Sequence, residues 1–315
     1  MTSTATATTT ALFRNCRVFG AIVGMLLSAC ASTSGDASCD RACLVSVTQG
    51  YFDALGARVP GRAAFAANAR LTENGVVVTP STSVFASARP MRWRQVFADP
   101  VSGQTSSFAS YDDDAGPVLY AVRLKVVQRR IVESEAMVNR KDAHPFFAPQ
   151  ALLGPREVFD AVTPVGERLP RQRLQALANA YFDGIEQHSA EGVSFHADCT
   201  RIENGVRTTD NPQANLPRSC PSGMQMFTYI PTVRDRSFPV IDEERSVVFG
   251  WGVFDMPGQA TSAVVDGKTI ELPARTREPK SMRYAEAFKI VDGRLQTIEA
   301  YIRYEPLGAG TGWHR

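Results

Sequence analysis

The chain has 315 residues, of which 44% are hydrophobic and 21% charged, and its formal net charge is +2. That length is enough for two domains of ordinary size, each with its own core, and the composition is that of a folded globular protein. No basic stripe or block of like charge appears, which argues against nucleic acid as a partner.

Residues 1–13 are rich in Thr and Ala. Arg14 and Arg17 then precede an apolar run from Val18 to Ala29. The run is too short to span a bilayer and fits the apolar region of a signal peptide. It ends Leu27-Ser28-Ala29-Cys30, which resembles a bacterial lipobox. The resemblance implies cleavage before Cys30 and lipidation of its thiol; several acyl chains on one cysteine anchor a protein stably. Plain secretion, with Cys30 an ordinary residue, is the other reading. Ala31 follows the cysteine where an Asp would mark retention, so resemblance to Gram-negative sorting implies the cell envelope, at the periplasmic face of the outer membrane. The membrane would then be touched through the lipid alone. Without residues 1–29 the net charge falls close to zero.

The expected order is a signal peptide (1–29), a tether (30–37), a first domain (38–140), a Pro-rich linker (141–170), a second domain (171–305) and a tail (306–315). Once Cys16 leaves with the signal and Cys30 takes lipid, four cysteines remain in an oxidising compartment. Of the three possible pairings, spacing favours Cys39–Cys43, one helical turn apart, and Cys199–Cys220. A metal site using His188, His196 and Cys199 is the alternative. It lacks a second pair of ligands, so neither metal nor cofactor is expected.

Asp40 to Leu55 reads as a helix whose apolar face carries Leu44, Val47, Tyr51, Phe52 and Leu55. Ala63 to Asn68 reads as a short second helix. Strands are expected at Leu71–Val78, Arg92–Ala98 and Gln104–Tyr111, followed by a hairpin of Val118–Val127 and Ile131–Asn139. Helices followed by a strand meander indicate an α+β fold with helices on one face of an antiparallel sheet.

Arg171 to Gln187 is again a helix, with Leu174, Leu177, Ala178, Tyr181, Phe182 and Ile185 as its stripe. Strands follow at Phe227–Phe238, Val247–Phe254, Arg283–Val291 and Arg294–Tyr304, the last two joined by the Asp292-Gly293 hairpin signal. The second half copies the first. Tyr51-Phe52-Asp53 and Glu73-Asn74-Gly75 recur 130 residues later as Tyr181-Phe182-Asp183 and Glu203-Asn204-Gly205. The offset becomes 143 at Asp99 and Asp242, then 164 at Lys125 and Lys289. The second copy has therefore gained segments around Thr208–Ser222 and Pro257–Lys280. Such insertions belong in surface loops, where rims and lids are found.

The doubled Tyr-Phe-Asp helix followed by Thr-Glu-Asn-Gly, or Ile-Glu-Asn-Gly in the second copy, resembles the SnoaL-like branch of the nuclear-transport-factor-2 (NTF2-like) superfamily, one module at 38–140 and one at 171–305. Cys39-Asp40-Arg41-Ala42-Cys43-Leu44 and Tyr229-Ile230 with Arg234-Asp235-Arg236 further resemble a secreted group of tandem proteins from bacteria and fungi with no assigned activity. The resemblance implies two fused cones, each with helices closing a curved sheet over an apolar pocket, paired as a pseudo-dimer within one chain. It does not settle function, because the superfamily holds isomerases, cyclases and dehydratases as well as non-catalytic modules.

The resemblance also implies candidate site residues. Tyr51 and Tyr181 stand where ketosteroid isomerases place a Tyr that donates to a developing oxyanion. Glu73-Asn74 and Glu203-Asn204 stand at those enzymes' Glu-Asp pair. Asn replaces the general base in both copies, and an amide takes no proton at neutral pH. Either Glu or Asn faces the pocket, since strand neighbours point to opposite faces. Alternatively Glu-Asn-Gly is a structural turn. Arg234, Arg236 and Trp251 are candidate ligand contacts, and cross-strand ion pairing is the plainer role for the two arginines. Two functions follow. One is a lipid-anchored envelope protein that binds a small, largely apolar or aromatic molecule and turns it over by isomerase, dehydratase or lyase-type acid–base chemistry. The other is a non-catalytic ligand-binding or assembly lipoprotein.

Overall fold

The computed structural model describes residues 39–211 and 219–313. The expected signal peptide, Cys30 and the tether lie outside the described residues. No described helix is long and apolar enough to cross a membrane.

Helix α1 (Arg41–Gly56) opens the first repeat. Its N-cap, Asp40, accepts a hydrogen bond from the Cys43 amide at 2.9 Å, which satisfies one of the free donors of the first turn. A Cys39–Cys43 disulfide closes the same turn. Six strands follow: β1 (Phe65–Glu73), β2 (Val76–Val78), β3 (Trp93–Asp99), β4 (Gln104–Asp113), β5 (Gly116–Val127) and β6 (Arg130–Asn139). They form one sheet in the order β2-β1-β6-β5-β4-β3.

The segment expected as a second helix, Ala63 to Asn68, instead forms the start of β1. Its alanines favour helix, but Phe65 pairs with Ile131 and Arg70 with Glu133 across a bulge, and tertiary pairing outweighs local propensity. β1 runs parallel to β6, so one parallel pair is set into an otherwise antiparallel sheet.

After short helix α2 (Glu157–Asp160), the second repeat follows the same plan. Helix α3 (Arg171–Gln187) buries Leu174, Leu177, Ala178, Tyr181, Phe182 and Ile185. Strands β7 (Phe195–Glu203) and β8 (Val206–Arg207), helix α4 (Cys220–Gln225), and strands β9 (Thr232–Asp242) and β10 (Val247–Met256) come next. A small hairpin, β11 (Ser262–Val265) with β12 (Lys268–Glu271), precedes β13 (Lys280–Val291) and β14 (Arg294–Glu305). The second sheet has the order β8-β7-β14-β13-β10-β9, which is the first sheet's order repeated. The architecture is thus α+β, two fused helix-on-sheet units, as the resemblance implied. The strand expected from Phe227 starts only at Thr232, because residues 227–229 form a 3-10 turn.

The sheets bury an aromatic cluster between them that includes Phe97, Phe108, Phe159, Phe249, Trp251 and Tyr301. Two ion pairs cross this junction reciprocally. Arg41 of α1 holds Asp242 at 2.6 Å, and Arg171 of α3, 130 positions on, holds Asp99. Equivalent residues exchanging equivalent partners is the pattern of an isologous contact.

Candidate functional site

Glu-Asn-Gly is a tight turn in both repeats. Asn74, Gly75, Asn204 and Gly205 all have positive φ, between 48° and 84°, which suits Asn and Gly. A side chain at Gly205 would meet the Ala148 carbonyl at 2.4 Å. The turn fixes where its neighbours point. Asn204 turns back to clasp β14, donating to the Ile302 carbonyl at 2.7 Å and accepting from the Ile302 amide at 3.0 Å. It also donates to the Phe146 carbonyl. Asn74 does the same to β6, accepting from the Val138 amide at 2.9 Å. Neither amide reaches a cavity, so Asn74 and Asn204 are turn and clasp residues rather than catalytic ones.

In the first repeat the cone is packed with its own side chains. The Tyr51 hydroxyl is hydrogen-bonded to that of Tyr120 at 2.7 Å. Phe85 packs edge-on against the Tyr51 ring, with centroids 5.4 Å apart. Glu73 accepts from the Val84 amide at 2.7 Å, which pins the turn that delivers Phe85. Tyr51 is therefore a core residue here and the half-buried Glu73 holds a turn; neither lines the cavity of the second repeat.

The second repeat keeps a cavity of about 250 Å³. The matching loop is longer, and in place of a plug it carries α4, tied to β7 by the Cys199–Cys220 disulfide. The walls are apolar: Ile185, Met226, Phe227, Ile230, Phe254 and Met282 are among them. The roof comes from the other inserted segment, through Ile270, Leu272, Pro273 and Arg275, and from the linker, through His144 and Phe146.

The floor is charged. Tyr181, Arg201, Glu203 and Glu286 all line it. Glu203 on β7, Ala300 on β14 and Glu286 on β13 are direct register partners, so the carboxylates stand in one row on one face. Their backbones are two strand spacings, roughly 10 Å, apart, and the short Ala300 side chain leaves the space between them open. Arg201, two residues before Glu203, shares that face and pairs with Glu203 at 3.1 Å. Its guanidinium lies 4.9 Å over the Phe227 ring, and the absence of a side chain at Gly223 leaves room for it.

This environment sets the protonation states. Glu286 is only 3% exposed. Burial, reinforced by the charge of Glu203, pushes its carboxyl up to about 8, against the pull of Arg201 and a hydrogen bond with Tyr181. At neutral pH it is mostly a neutral acid. Burial also raises Glu203, but Arg201 opposes the rise, so Glu203 is the carboxylate that ionises first. Burial pushes the Tyr181 hydroxyl well above its ordinary range, so it stays a neutral phenol, able to donate and to accept hydrogen bonds. The floor therefore holds one carboxylate, one carboxylic acid, a guanidinium and a phenol in an apolar chamber. Such a set can take a proton at one point and supply one at another.

Of the candidates read from the sequence, Tyr181 and Glu203 meet in this cavity, and the others do not. Arg236 is held by Asp183 and by Glu186 at 2.5 Å on α3. Arg234 is held by Asp255 at 2.8 Å and by Asp235. The two arginines are thus ion-pair partners rather than ligand contacts. Trp251 is buried between the sheets and donates to the Ser106 hydroxyl at 3.2 Å, so it is a junction residue. Sequence reasoning missed Arg201, Glu286 and His144. The repeat register held a signal for two of them: at the established offsets Arg201 falls opposite Leu71 and Glu286 opposite Val122. Charge at a core position in one copy alone marks a changed role. No cluster of metal-ligating side chains occurs among the described residues.

Residues 167–302, most of the second repeat, match a family described as a domain of unknown function (DUF8021). No curated protein matches the chain. Similar solved structures include a candidate polyketide cyclase from Xanthomonas campestris pv. campestris, with 17% identity over 42% of this chain and 90% of that one, at a TM-score of 0.28. A candidate isomerase from Bacillus subtilis has 9% identity over 42% and 87%, at 0.27. A candidate SnoaL-like polyketide cyclase from Jannaschia sp. CCS1 has 12% identity over 43% and 89%, at 0.23.

Proposed function

We propose that the second repeat binds a small, largely apolar, ring-containing molecule and acts on it by acid–base chemistry of the isomerase, dehydratase or lyase type. The carrying observation is the row of Glu203 and Glu286 across β7, β14 and β13 on the cavity floor. A buried acid next to a paired carboxylate is costly to fold around, and acid–base work gives that cost a purpose. Glu203 would take a proton from the ligand, while Glu286 would donate one to the atom that becomes more basic. Arg201 and Tyr181 would hold the two groups in position and stabilise developing negative charge. The first repeat serves as a scaffold half.

A binding role without turnover is the second reading, supported by the first repeat, where the same pattern frames a cone filled by its own side chains. In both readings we propose an envelope lipoprotein held at the periplasmic face of the outer membrane through Cys30, since the lipobox-like run precedes a folded chain with two disulfides.

The test is recovery of the molecule that co-purifies with the protein from its native host, followed by assay of Glu203→Gln and Glu286→Gln. Lost turnover with retained affinity in both variants supports the enzyme reading. Unchanged turnover in both would sink it, and a bound molecule that the wild type never converts would leave the binding role.

A further inference from the structure

The mouth of the cavity differs from its floor. His144, from the linker, is 6% exposed and lines the cavity. Its Nδ1 accepts from the Phe146 amide at 3.0 Å, so in the neutral ring the proton sits on Nε2. Burial, together with the charges of Arg275 and Lys280, holds the ring down at about 3, so the neutral form persists at any physiological pH. No hydrogen bond to Nε2 occurs among the described residues, and His144 lines the cavity, so this donor is open to a ligand there.

Around this donor the charge is positive. The His144 ring packs on Tyr304 with centroids 4.5 Å apart. Arg275 lies beside Tyr304 in the cavity lining, and the Lys280 ammonium lies 4.6 Å from the Tyr304 ring. The ionised acids in and near the cavity lining are already taken. Glu271 is bound by Arg277 at 2.7 Å, Glu278 by Lys280 at 2.9 Å, and Glu203, deeper in, by Arg201. Arg275 has no ion pair among the described residues.

We propose that the cavity selects carboxylic acids. The carboxylate of an otherwise apolar, ring-bearing ligand lies at the mouth between the Arg275 guanidinium and the Nε2–H of His144, with the Tyr304 hydroxyl beside it. The apolar body then reaches inward to the Glu203–Glu286 row. This rests on the reading of the cavity as a small-molecule site and adds the class of molecule. Hydrogen bonds from a guanidinium to a carboxylate are roughly twice as strong as neutral ones. Arg275 is solvent-exposed and already hydrated, so the gain is moderate.

The experiment is calorimetric titration of the purified, disulfide-intact chain at pH 7.5 with phenylacetic, cinnamic and 1-naphthylacetic acids and with their primary amides, which keep the shape and lose the charge. The expected result is that at least one acid binds about tenfold or more tightly than its amide. Arg275→Gln should weaken the acid at least about fivefold more than the amide and so erase most of that preference. Amides that bind as tightly as their acids overturn the proposal, and so does an Arg275→Gln variant that weakens both equally. In either case the small-molecule site itself stands. If none of the six compounds binds, the proposal falls, while the small-molecule reading is decided separately by the molecule recovered from the native host.

Discussion

Replacing Glu286 by Val, the residue that the first repeat carries at the matching Val122, makes a quantitative test of the charged floor. The Glu286 carboxyl moves from an ordinary 4.5 to about 8 on folding. The folded chain therefore holds this proton over a pH range in which the unfolded chain has released it. Stability from this group is complete below about pH 4.5 and is lost as pH rises through 8. At about 1.4 kcal/mol per unit, the loss across that window is up to about 5 kcal/mol. Glu286→Val removes this slope. It also removes the hydrogen-bond partner of Tyr181, at a cost of about 1 kcal/mol that varies little with pH. The variant should be similar to the wild type or slightly less stable at pH 5 and more stable at pH 8.5, with the difference growing between them. For a chain of this size, 1 kcal/mol shifts the melting temperature by about 2 °C, so the two melting curves should separate by roughly 10 °C over the range. Melting followed by circular dichroism at intervals from pH 5 to 8.5 measures this directly. A difference that stays flat, or one that grows toward low pH, would refute both the burial of the acid and its protonation at neutrality.

Three further outcomes follow from the same site. Arg201→Ala leaves Glu203 and Glu286 with no cation on the floor and should cost about 3–5 kcal/mol at pH 7, partly recovered at pH 5 as Glu203 takes a proton; a urea-midpoint change below about 1 kcal/mol would mean that the pair is not desolvated. The double substitution of Cys199 and Cys220 by Ser frees a loop of sequence separation 21 and should cost about 3 kcal/mol of stability; calorimetry should also show weaker ligand binding, since α4 packs near Arg201. Replacing Pro257–Pro279 by an Asn-Gly turn joins residues already paired at the end of β10 and β13. It should leave the fold intact and lower ligand affinity at least tenfold, because Ile270, Leu272 and Arg275 leave the roof; unchanged affinity would show that this segment is no lid.

Repetition made the plan of the fold legible in the sequence. Two offsets at matched motifs imply two matched units, and the shift from 130 to 143 to 164 locates the inserted loops in the sequence. The helix at Arg171–Gln187 was equally clear, because six apolar residues at helical spacing leave little alternative. β1 was not clear: an Ala-rich stretch carries no strand signal, and only its pairing with β6 decides its state. The site was half legible for a related reason. Tyr181 and Glu203 were found through a pattern present in both copies, but the pattern alone cannot say which copy has a cavity. That depends on whether Phe85 plugs the cone or a longer loop lifts away from it. Glu286 lies on a strand where charge reads as one polar residue among several, and its neighbour in the row, Glu203, is 83 positions away. His144 reads as a linker residue and becomes part of a wall only because the linker folds over β14.

The two tyrosines at the same place in the two repeats give the sharpest contrast between core and site. Tyr51 and Tyr181 are both about 2% exposed, and each loses one hydroxyl on substitution by Phe. In the first repeat that hydroxyl serves Tyr120, so Tyr51→Phe leaves one phenol without its partner and should cost about 1–3 kcal/mol of stability. It should not alter ligand affinity or conversion, since no atom of Tyr51 reaches the cavity. In the second repeat the hydroxyl faces Glu286 and Arg201 on the cavity floor and interacts with both. Its hydrogen bond with Glu286 favours the carboxylate, so Tyr181→Phe should raise the Glu286 titration further and shift the alkaline limb of the activity profile upward. The loss of one positioned donor should also slow conversion, by about tenfold or more. Melting temperature, ligand affinity and the pH profile, measured on both variants, separate the cases. The same substitution should register as stability alone in one copy and as chemistry in the other. Equal losses of conversion from the two variants would mean that the first cone is not merely a scaffold, and the assignment of the site to the second repeat would fail.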